Sequence, residues 1–175
     1  SSFSRYQEES AWTWERMALT RARFVAGPAG LKRKVEAALK AARTLPSDPA
    51  CVLADAASMR ARMLRDLPSD GPWDMKLMPG GLVEVEFVAQ ALQVAHAHRV
   101  PAILSPTTRV ALAGLARAGL LTESEAETLV AADRLWRTII AHHRLTLGRW
   151  KEEALPESVA ASLLALLRPQ LPNPP

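Results

Sequence analysis

Apolar positions recur every three to four residues along most of the chain, which predicts amphipathic helices. Proline, glycine and capping residues interrupt that pattern and divide the chain into seven predicted helices. The predicted helices cover residues 8–26, 29–44, 49–67, 82–98, 106–118, 122–147 and 156–168. A loop at 68–81 contains three prolines and three glycines, and a frayed tail is expected at 169–175. The predicted fold is all-α. Because the connections between the helices are short, we expect an antiparallel bundle of six or seven helices.

Local signals set several of these boundaries. The first helix is predicted to end at Gly27 and Pro28. Asp48 is placed to cap the third helix, with Pro49 at its first helical position. Residues 122–125 (TESE) form a predicted capping box, with a glutamate three residues after a threonine.

The composition is that of a soluble globular protein, with 49% apolar and 23% charged residues. A single cysteine, Cys51, excludes an intramolecular disulfide framework and a cysteine-rich zinc site. No apolar run is long enough to span a membrane, and a cytoplasmic location is expected. The chain begins at Ser1 without a methionine, and we expect it to be a piece of a longer protein.

The formal net charge is +4, and basic residues cluster at 32–34 and at Arg60, Arg62 and Arg65. Such clusters are found on nucleic-acid-binding surfaces and on the solvated faces of arginine-rich helices. No aromatic residues alternate with the basic ones, and no nucleic-acid-binding motif is present. We therefore favour solvated faces, and nucleic acid is not expected as a partner.

The fourth predicted helix carries a carboxylate on its apolar stripe. At 100° per residue Glu84 lies in line with the apolar positions, whereas Glu86, Gln90 and Gln93 form the polar face. A buried carboxylate needs a partner. Either the amides at the helix N-terminus stabilise Glu84, with Gly81 as N-cap, or a functional ion pair does. The sequence leaves both explanations open.

The first predicted helix carries the reverse anomaly, a cation on an apolar face. Arg21 shares that face with Trp14 and Val25, and it either reaches the surface or pairs with a carboxylate. Lys76 lies just upstream of the two glycines that precede the fourth helix. The hypothesis is that Arg21 or Lys76 pairs with Glu84.

The histidines do not form a metal-binding pattern. His143 is predicted to be a half-buried, hydrogen-bonded core residue, and His142 to face solvent. His96 and His98 end the fourth predicted helix, where a cation suits the helix dipole, but they do not share a face. Phosphate-binding glycine loops, a nucleophile elbow and an acidic metal-binding pair are also absent from the sequence. No catalytic or metal-ligating residue is therefore assigned to this chain.

Several stretches together resemble one family. They are residues 12–23 (WTWERMALTRAR) with 25–27 (VAG), 59–63 (MRARM), 74–76 (DMK) with 79–87 (PGGLVEVEF) and Gln90, and 143–145 (HRL). In order and spacing they resemble glutamine synthetase adenylyltransferase, the bifunctional adenylylating and adenylyl-removing enzyme. The stretch at 12–15 is similar to the adenylylating C-terminal half of that family. A related helical domain with a Pro-Gly-Gly segment occurs in the PII-modifying uridylyltransferase, but residues 12–15 favour the adenylyltransferase.

The resemblance implies a helical domain that supports transfer of AMP from ATP to a tyrosine of glutamine synthetase. ATP and Mg²⁺ would serve the full enzyme, with neither expected on this chain, which alone would be inactive. Residues 1–27 would be the exit helix from an absent nucleotidyltransferase domain holding the catalytic carboxylates, and 28–168 the helical bundle. The residues expected at that domain junction, or positioning phosphates, are Arg21, Arg23, Lys76, Gly80, Gly81, Glu84 and Glu86.

The implied partners are glutamine synthetase, a PII-type signalling protein and the chain's own nucleotidyltransferase domain, with no membrane. Two other functions remain open. One is an interaction module that contacts glutamine synthetase or a PII-type protein through exposed helix faces. The other is a basic nucleic-acid-binding bundle.

Overall fold

The computed structural model describes residues 2–69 and 74–146, and within them the fold is all-α, as predicted. The described elements, in chain order, are α1 (Ser2–Glu9), α2 (Thr13–Leu19), α3 (Ala29–Arg43), α4 (Pro49–Asp66), α5 (Leu82–His96), a short 3₁₀ helix (Pro101–Ile103), α6 (Thr108–Arg117) and α7 (Glu123–Thr146). No helix in these ranges is long and apolar enough to cross a membrane. The predicted helical bundle is confirmed.

Helix α5 is the centre of the bundle. It packs against α2 and α4 on one side and against α6 and α7 on the other. Met17 of α2 is buried against the first side, and Leu112 of α6 against the second. A helix covered on several sides has no solvated face. The predicted polar face is therefore wrong, because Gln90 and Gln93 are buried.

Buried Gln93 is satisfied by hydrogen bonds inside the bundle. Its side-chain amide donates to the carbonyl of Ala89 at 3.0 Å. Its side-chain oxygen accepts from the backbone N–H of Ser105 at 2.8 Å. The residue thus ties α5 to the segment that follows the 3₁₀ helix, at a position where sequence periodicity predicts solvent.

The single first helix predicted over 8–26 is wrong, because the chain breaks between α1 and α2. Trp12 is extended, and its backbone N–H donates to the Glu15 carboxylate at 2.9 Å. That hydrogen bond begins a new helix, since it satisfies an N-terminal amide that lacks a helical partner. Helix α2 then ends at Leu19, where the Thr20 hydroxyl donates to the carbonyl of Met17 at 2.7 Å.

Other local signals act as predicted. Asp48 caps α4 by accepting from the backbone N–H of Ala50 at 3.0 Å, with Pro49 at the first helical position. At the start of α7, Thr122 and Glu125 exchange hydrogen bonds, with the Thr122 amide donating at 2.8 Å. The bonds from Thr122 lower the pKa of Glu125, because they stabilise its charged form.

The remaining boundaries differ by small amounts, and some lie outside the described residues. Helix α6 begins at Thr108 and not at residue 106, and the 3₁₀ helix before it was not predicted. The helix predicted at 156–168 and the tail at 169–175 lie outside the described residues. The chain divides into two units at 139/140, and the described part of the second is the end of α7, where Ile140 is buried. The predicted domain boundaries stay a prediction.

Candidate functional site

The turn before α5 depends on two glycines. Gly80 has φ of +76°, in the region that favours glycine. A Cβ on Gly81 would lie 2.7 Å from the carbonyl oxygens of both Met75 and Met78, which leaves no room for one. The Leu82 amide donates to the Met75 carbonyl at 2.9 Å, and the Met75 side chain is fully buried. Backbone crowding and hydrogen bonding therefore restrict the conformation of this turn.

Arg60 of α4 is the ion-pair partner of Glu84. Its Nη2 and Nε atoms lie 2.9 and 3.0 Å from Glu84 Oε1. Arg60 is 9% exposed, and its side chain reaches across from the face that also buries Val52 and Ala56. The hypothesis that Arg21 or Lys76 pairs with Glu84 is wrong, because the cation paired with Glu84 is Arg60 of α4.

The same pair holds the turn in place. Arg60 Nη2 also donates to the carbonyls of Leu77 at 2.9 Å and Met78 at 3.2 Å. The second carboxylate oxygen of Glu84 accepts from the Gly80 amide at 2.7 Å. Glu84 is at N3 of α5, near free amides, and it is also in an ion pair with Arg60, whose functional role stays a prediction. We call the residues 77–81, 84 and 60 the braced turn.

Helix α7 also contacts the braced turn. The indole N–H of Trp136 donates to the carbonyl of Gly80 at 3.1 Å. The Trp136 side chain packs against the cluster that includes Val85 and Leu112. Helices α4, α5 and α7 therefore fix the turn jointly.

A second charged network begins two residues further along α5. Glu86 accepts from Arg137 of α7 at 2.7 Å and from Arg21 at 3.2 Å. Arg21 follows the end of α2 and is not part of a helix, and its side chain is 51% exposed. Glu86, which the sequence places on the polar face of this helix, has a side chain that is 14% exposed and paired with two arginines.

The network continues from Arg137 into α6. Asp133 accepts from Arg137 Nε at 2.8 Å, and Arg109 Nε lies 3.6 Å from its other oxygen. Asp133 is 1% exposed. Burial lowers the pKa of Arg137, but the hydrogen bonds to Glu86 and Asp133 outweigh it and raise that pKa above its ordinary value. We call Arg21, Glu86, Arg137, Asp133 and Arg109 the arginine network.

The structure does not bring all the predicted site residues together. Gly80, Gly81 and Glu84 belong to the braced turn, and Arg21 and Glu86 to the arginine network. Lys76 is exposed, and no ion pair involves it among the described residues. Arg23 lies elsewhere, at a cavity beside α3.

The histidines take structural positions. His142 is exposed, as predicted, and His143 is buried and not half-buried as predicted. Burial, with the charge of Arg99 and His98 nearby, lowers the pKa of His96. The cation expected at this end of α5 is therefore disfavoured. In the described ranges no group of three His, Cys, Asp or Glu side chains is placed to hold a metal ion.

Sequence reasoning missed Arg60, Asp133 and Arg137. Arg60 was assigned to a solvated basic cluster, yet it follows Val52 and Ala56 at intervals of four, which places the three residues on one face. Asp133 and Arg137 have the same spacing and opposite charges. The spacing of four residues therefore indicates that Arg60 is buried and that Asp133 pairs with Arg137. It does not indicate which residues of other helices they contact.

Comparisons with known proteins divide the chain in two. Residues 53–167 match the family model described as GlnD PII-uridylyltransferase. Residues 1–38 match the model described as Glutamate-ammonia ligase adenylyltransferase. Because the first match covers more than half of the chain, the chain belongs to the family that this model describes.

Curated relatives narrow the class further. The chain is 38% identical over 166 residues to a protein of Rhodopseudomonas palustris strain TIE-1, which is 95% of this chain and 16% of the relative. It is 40% identical over 154 residues to a Bradyrhizobium diazoefficiens protein, which is 87% of this chain and 16% of the relative. It is 43% identical over 161 residues to a Chromobacterium violaceum protein, which is 91% of this chain and 18% of the relative. All three are named bifunctional glutamine synthetase adenylyltransferase/adenylyl-removing enzyme.

The chain is thus of the glutamine synthetase adenylyltransferase type, which confirms the resemblance found in the sequence. It spans about one sixth of the length of these relatives. The geometry limits what its carboxylates do. Glu84 and Glu86 each accept hydrogen bonds from two donors. The groups left to bind a ligand are therefore the N–H donors of the half-exposed side chains of Arg21 and Arg137.

Proposed function

We propose that this chain is the helical domain of a glutamine synthetase adenylyltransferase and supports transfer of AMP from ATP to a tyrosine of glutamine synthetase. The nucleotidyl-transfer carboxylates, with ATP and Mg²⁺, belong to another part of the parent protein. Among the described residues no group of three His, Cys, Asp or Glu side chains is placed to hold Mg²⁺. The chain alone is inactive, and the parent works in the cytoplasm. Similarity to the named relatives over nearly the whole chain supports this role.

The arginine network is the observation that carries the proposal. Arg21 and Arg137 are 51% and 41% exposed, and each is oriented by Glu86. A guanidinium has five N–H donors, so each arginine retains donors after pairing with a carboxylate. Oriented, half-exposed guanidinium groups suit a phosphate or a carboxylate on a facing domain. The network would therefore face the nucleotidyltransferase domain and position phosphates or that domain's acidic groups.

The braced turn adds rigidity to the same end of α5. Its contacts to α4 and α7 restrict the turn, and Lys76 is exposed just before it. In this proposal Lys76 and the turn belong to the junction surface, while Glu84 acts through its contacts with Arg60 and Gly80. Glu84 is therefore a positioning residue.

Replacement of Arg21 by alanine in the full parent enzyme tests the proposal. The expected result is a loss of glutamine synthetase adenylylation of about tenfold or more, because a charge-assisted contact made during transfer is lost. Stability should change by less than about 1 kcal/mol, since Arg21 is half exposed. Removal of AMP from glutamine synthetase is assayed in parallel, to separate the two activities.

Arg65→Ala is the matched control, because Arg65 is exposed and pairs only with its neighbour Asp66 among the described residues. It should retain both activities. Unchanged adenylylation by Arg21→Ala, with glutamine synthetase binding also unchanged, would contradict the proposal.

A second candidate function is an interaction module, and an exposed apolar surface favours it. Trp12 and Trp14 are 70% and 51% exposed. A shallow cavity of about 330 Å³ lies between Trp14, Met63 and Leu67. Exposed tryptophans beside flexible apolar side chains are typical of protein-binding surfaces. In this role the surface would contact glutamine synthetase.

Binding of the chain to glutamine synthetase tests this second function. Trp14→Ser should weaken binding, whereas Leu53→Ser, at another exposed apolar position, should not. A PII-type signalling protein is the comparison partner. Equal binding of native chain and Trp14→Ser to glutamine synthetase would rule this surface out.

A further inference from the structure

A cavity beside α3 lies outside the braced turn and the arginine network. It has a volume of about 340 Å³, within the range of small-molecule sites. Its walls are α3, the segment that follows α2, and the segment around the 3₁₀ helix. The apolar part of the lining includes Phe24, Leu39 and Leu104, all half-buried. One side of the cavity therefore suits a flat apolar group.

The charged part of the lining is unbalanced. Arg23, Lys40 and Arg43 line the cavity, against a single acid, Glu36. Glu36 lies within 3.8 Å of Lys32, which is outside the lining. Within the part of the chain that the structure describes, none of the three cavity cations has a carboxylate partner. The lining thus has an excess of two positive charges.

Arg43 is held in this position by the backbone. Its Nε donates to the carbonyl of Leu19 at 3.0 Å, and its Nη2 donates to the carbonyl of Ala22. These contacts join α3 to the end of α2 and fix the guanidinium at the wall. Burial also lowers the pKa of Arg43, since its charge is partly desolvated. An anion in the cavity would restore the missing partner.

We propose that this cavity binds a small phosphate ester that carries a flat apolar group. A phosphate monoester has about two negative charges at neutral pH, which equals the local excess of positive charge. Arginine and lysine are the side chains that hold phosphate, through bidentate and point-charge contacts respectively. The apolar group lies against Phe24 and Leu39.

Calorimetric titration of the 175-residue chain with AMP tests the site, with adenosine and inorganic phosphate as partial probes. AMP should bind saturably at one site and more tightly than either probe, because each probe has only one of the two required groups. Absence of saturable AMP binding at millimolar concentration would overturn the proposal. Phosphate that competes as well as AMP would overturn the apolar part of the site.

Variants of the exposed cations complete the test. Arg23→Gln with Lys40→Gln should weaken AMP binding about tenfold or more, since two charged contacts are lost. Arg33→Gln with Lys34→Gln removes the same charge from exposed positions outside the cavity and should leave the affinity unchanged. Circular dichroism melts should match for both, because all four residues are exposed. Equal AMP affinity of the two double variants would contradict the site.

Discussion

At the residue scale, the Arg60–Glu84 pair shows how burial and exposure set the energy of an ion pair. The Arg60 side chain is 10% exposed and that of Glu84 is 35% exposed. Water therefore reaches Glu84, and the pair is weaker than a fully buried one. Arg60 contributes more through its bonds to the carbonyls of Leu77 and Met78, because buried acceptors are costly to leave unpaired.

Arg60→Met is expected to lower the free energy of unfolding by about 1–3 kcal/mol, because it removes the donor shared by Glu84 and two carbonyls. Urea denaturation measures the loss. Arg62→Met is the control, since Arg62 is exposed on the same helix. A cycle with Glu84→Gln should show that the two substitutions are not additive. Additive effects would show that the pair is not coupled.

Cys51 is affected by the residue that caps its helix. Its thiol donates to Asp48 Oδ2 at 3.2 Å, and that hydrogen bond, with the carboxylate charge, raises the pKa of Cys51. The same contact lowers the pKa of Asp48. Asp48→Asn keeps a good helix cap while removing the charge.

Asp48→Asn is expected to speed alkylation of Cys51 by iodoacetamide, because the thiolate is the reactive form and the pKa of the thiol falls when the carboxylate is removed. The pH–rate profile should shift to lower pH. Asp55→Asn should shift it less, since Asp55 acts on Cys51 only as the weakest charge effect. Identical profiles for the native chain and Asp48→Asn would contradict the assignment.

At the element scale, backbone crowding decides the start of α5. The sequence predicts a turn at the two glycines, but it does not show which glycine is needed for space and which for its φ angle. Gly81 has an ordinary extended φ of −77°, and its neighbours alone exclude a side chain. A Cβ on Gly30 of α3 would extend into open space. The two positions thus form a matched pair of glycines.

Gly81→Ala is expected to destabilise the chain by more than about 1 kcal/mol, because the carbonyls of Met75 and Met78 are backbone atoms and must move. Gly30→Ala should stabilise it by up to about 0.5 kcal/mol, since alanine is favoured over glycine in a helix and Gly30 lies in the first turn of α3. Thermal and urea melts measure both. Equal effects of the two substitutions would show that the turn is able to relax.

At the scale of the whole molecule, periodicity predicts where the helices lie better than it predicts which helices pack against one another. The bundle, the caps at Asp48 and Thr122 and the unusual position of Glu84 all follow from local spacing. The burial of Gln93 does not, because it depends on packing against other helices and on a contact with Ser105. The break before Trp12 has a local basis in the Trp12–Glu15 hydrogen bond, but the apolar periodicity continues through it. Periodicity finds one apolar stripe, and it does not show that a second layer of helices covers the opposite face.

The same limit explains why the arginine network was missed, although two of its members were among the predicted site residues. Arg21 and Glu86 are 65 residues apart, and Arg137 joins them from α7. Charged residues on different helices carry no shared spacing in the sequence. Only their packing around α5 brings them together.

Asp133 is the buried member that holds the network, and its replacement should affect the whole bundle. Asp133→Asn is expected to cost about 1–3 kcal/mol, because the side chain is 1% exposed and Arg137 and Arg109 lose their shared charge. Asp66→Asn, in an exposed pair with Arg65, should change stability by less than about 0.5 kcal/mol. Urea melts at low and high salt measure both, with little salt dependence expected for Asp133 because a buried charge is poorly screened. Equal losses for the two variants would show that the network does not stabilise the packing of α5, α6 and α7.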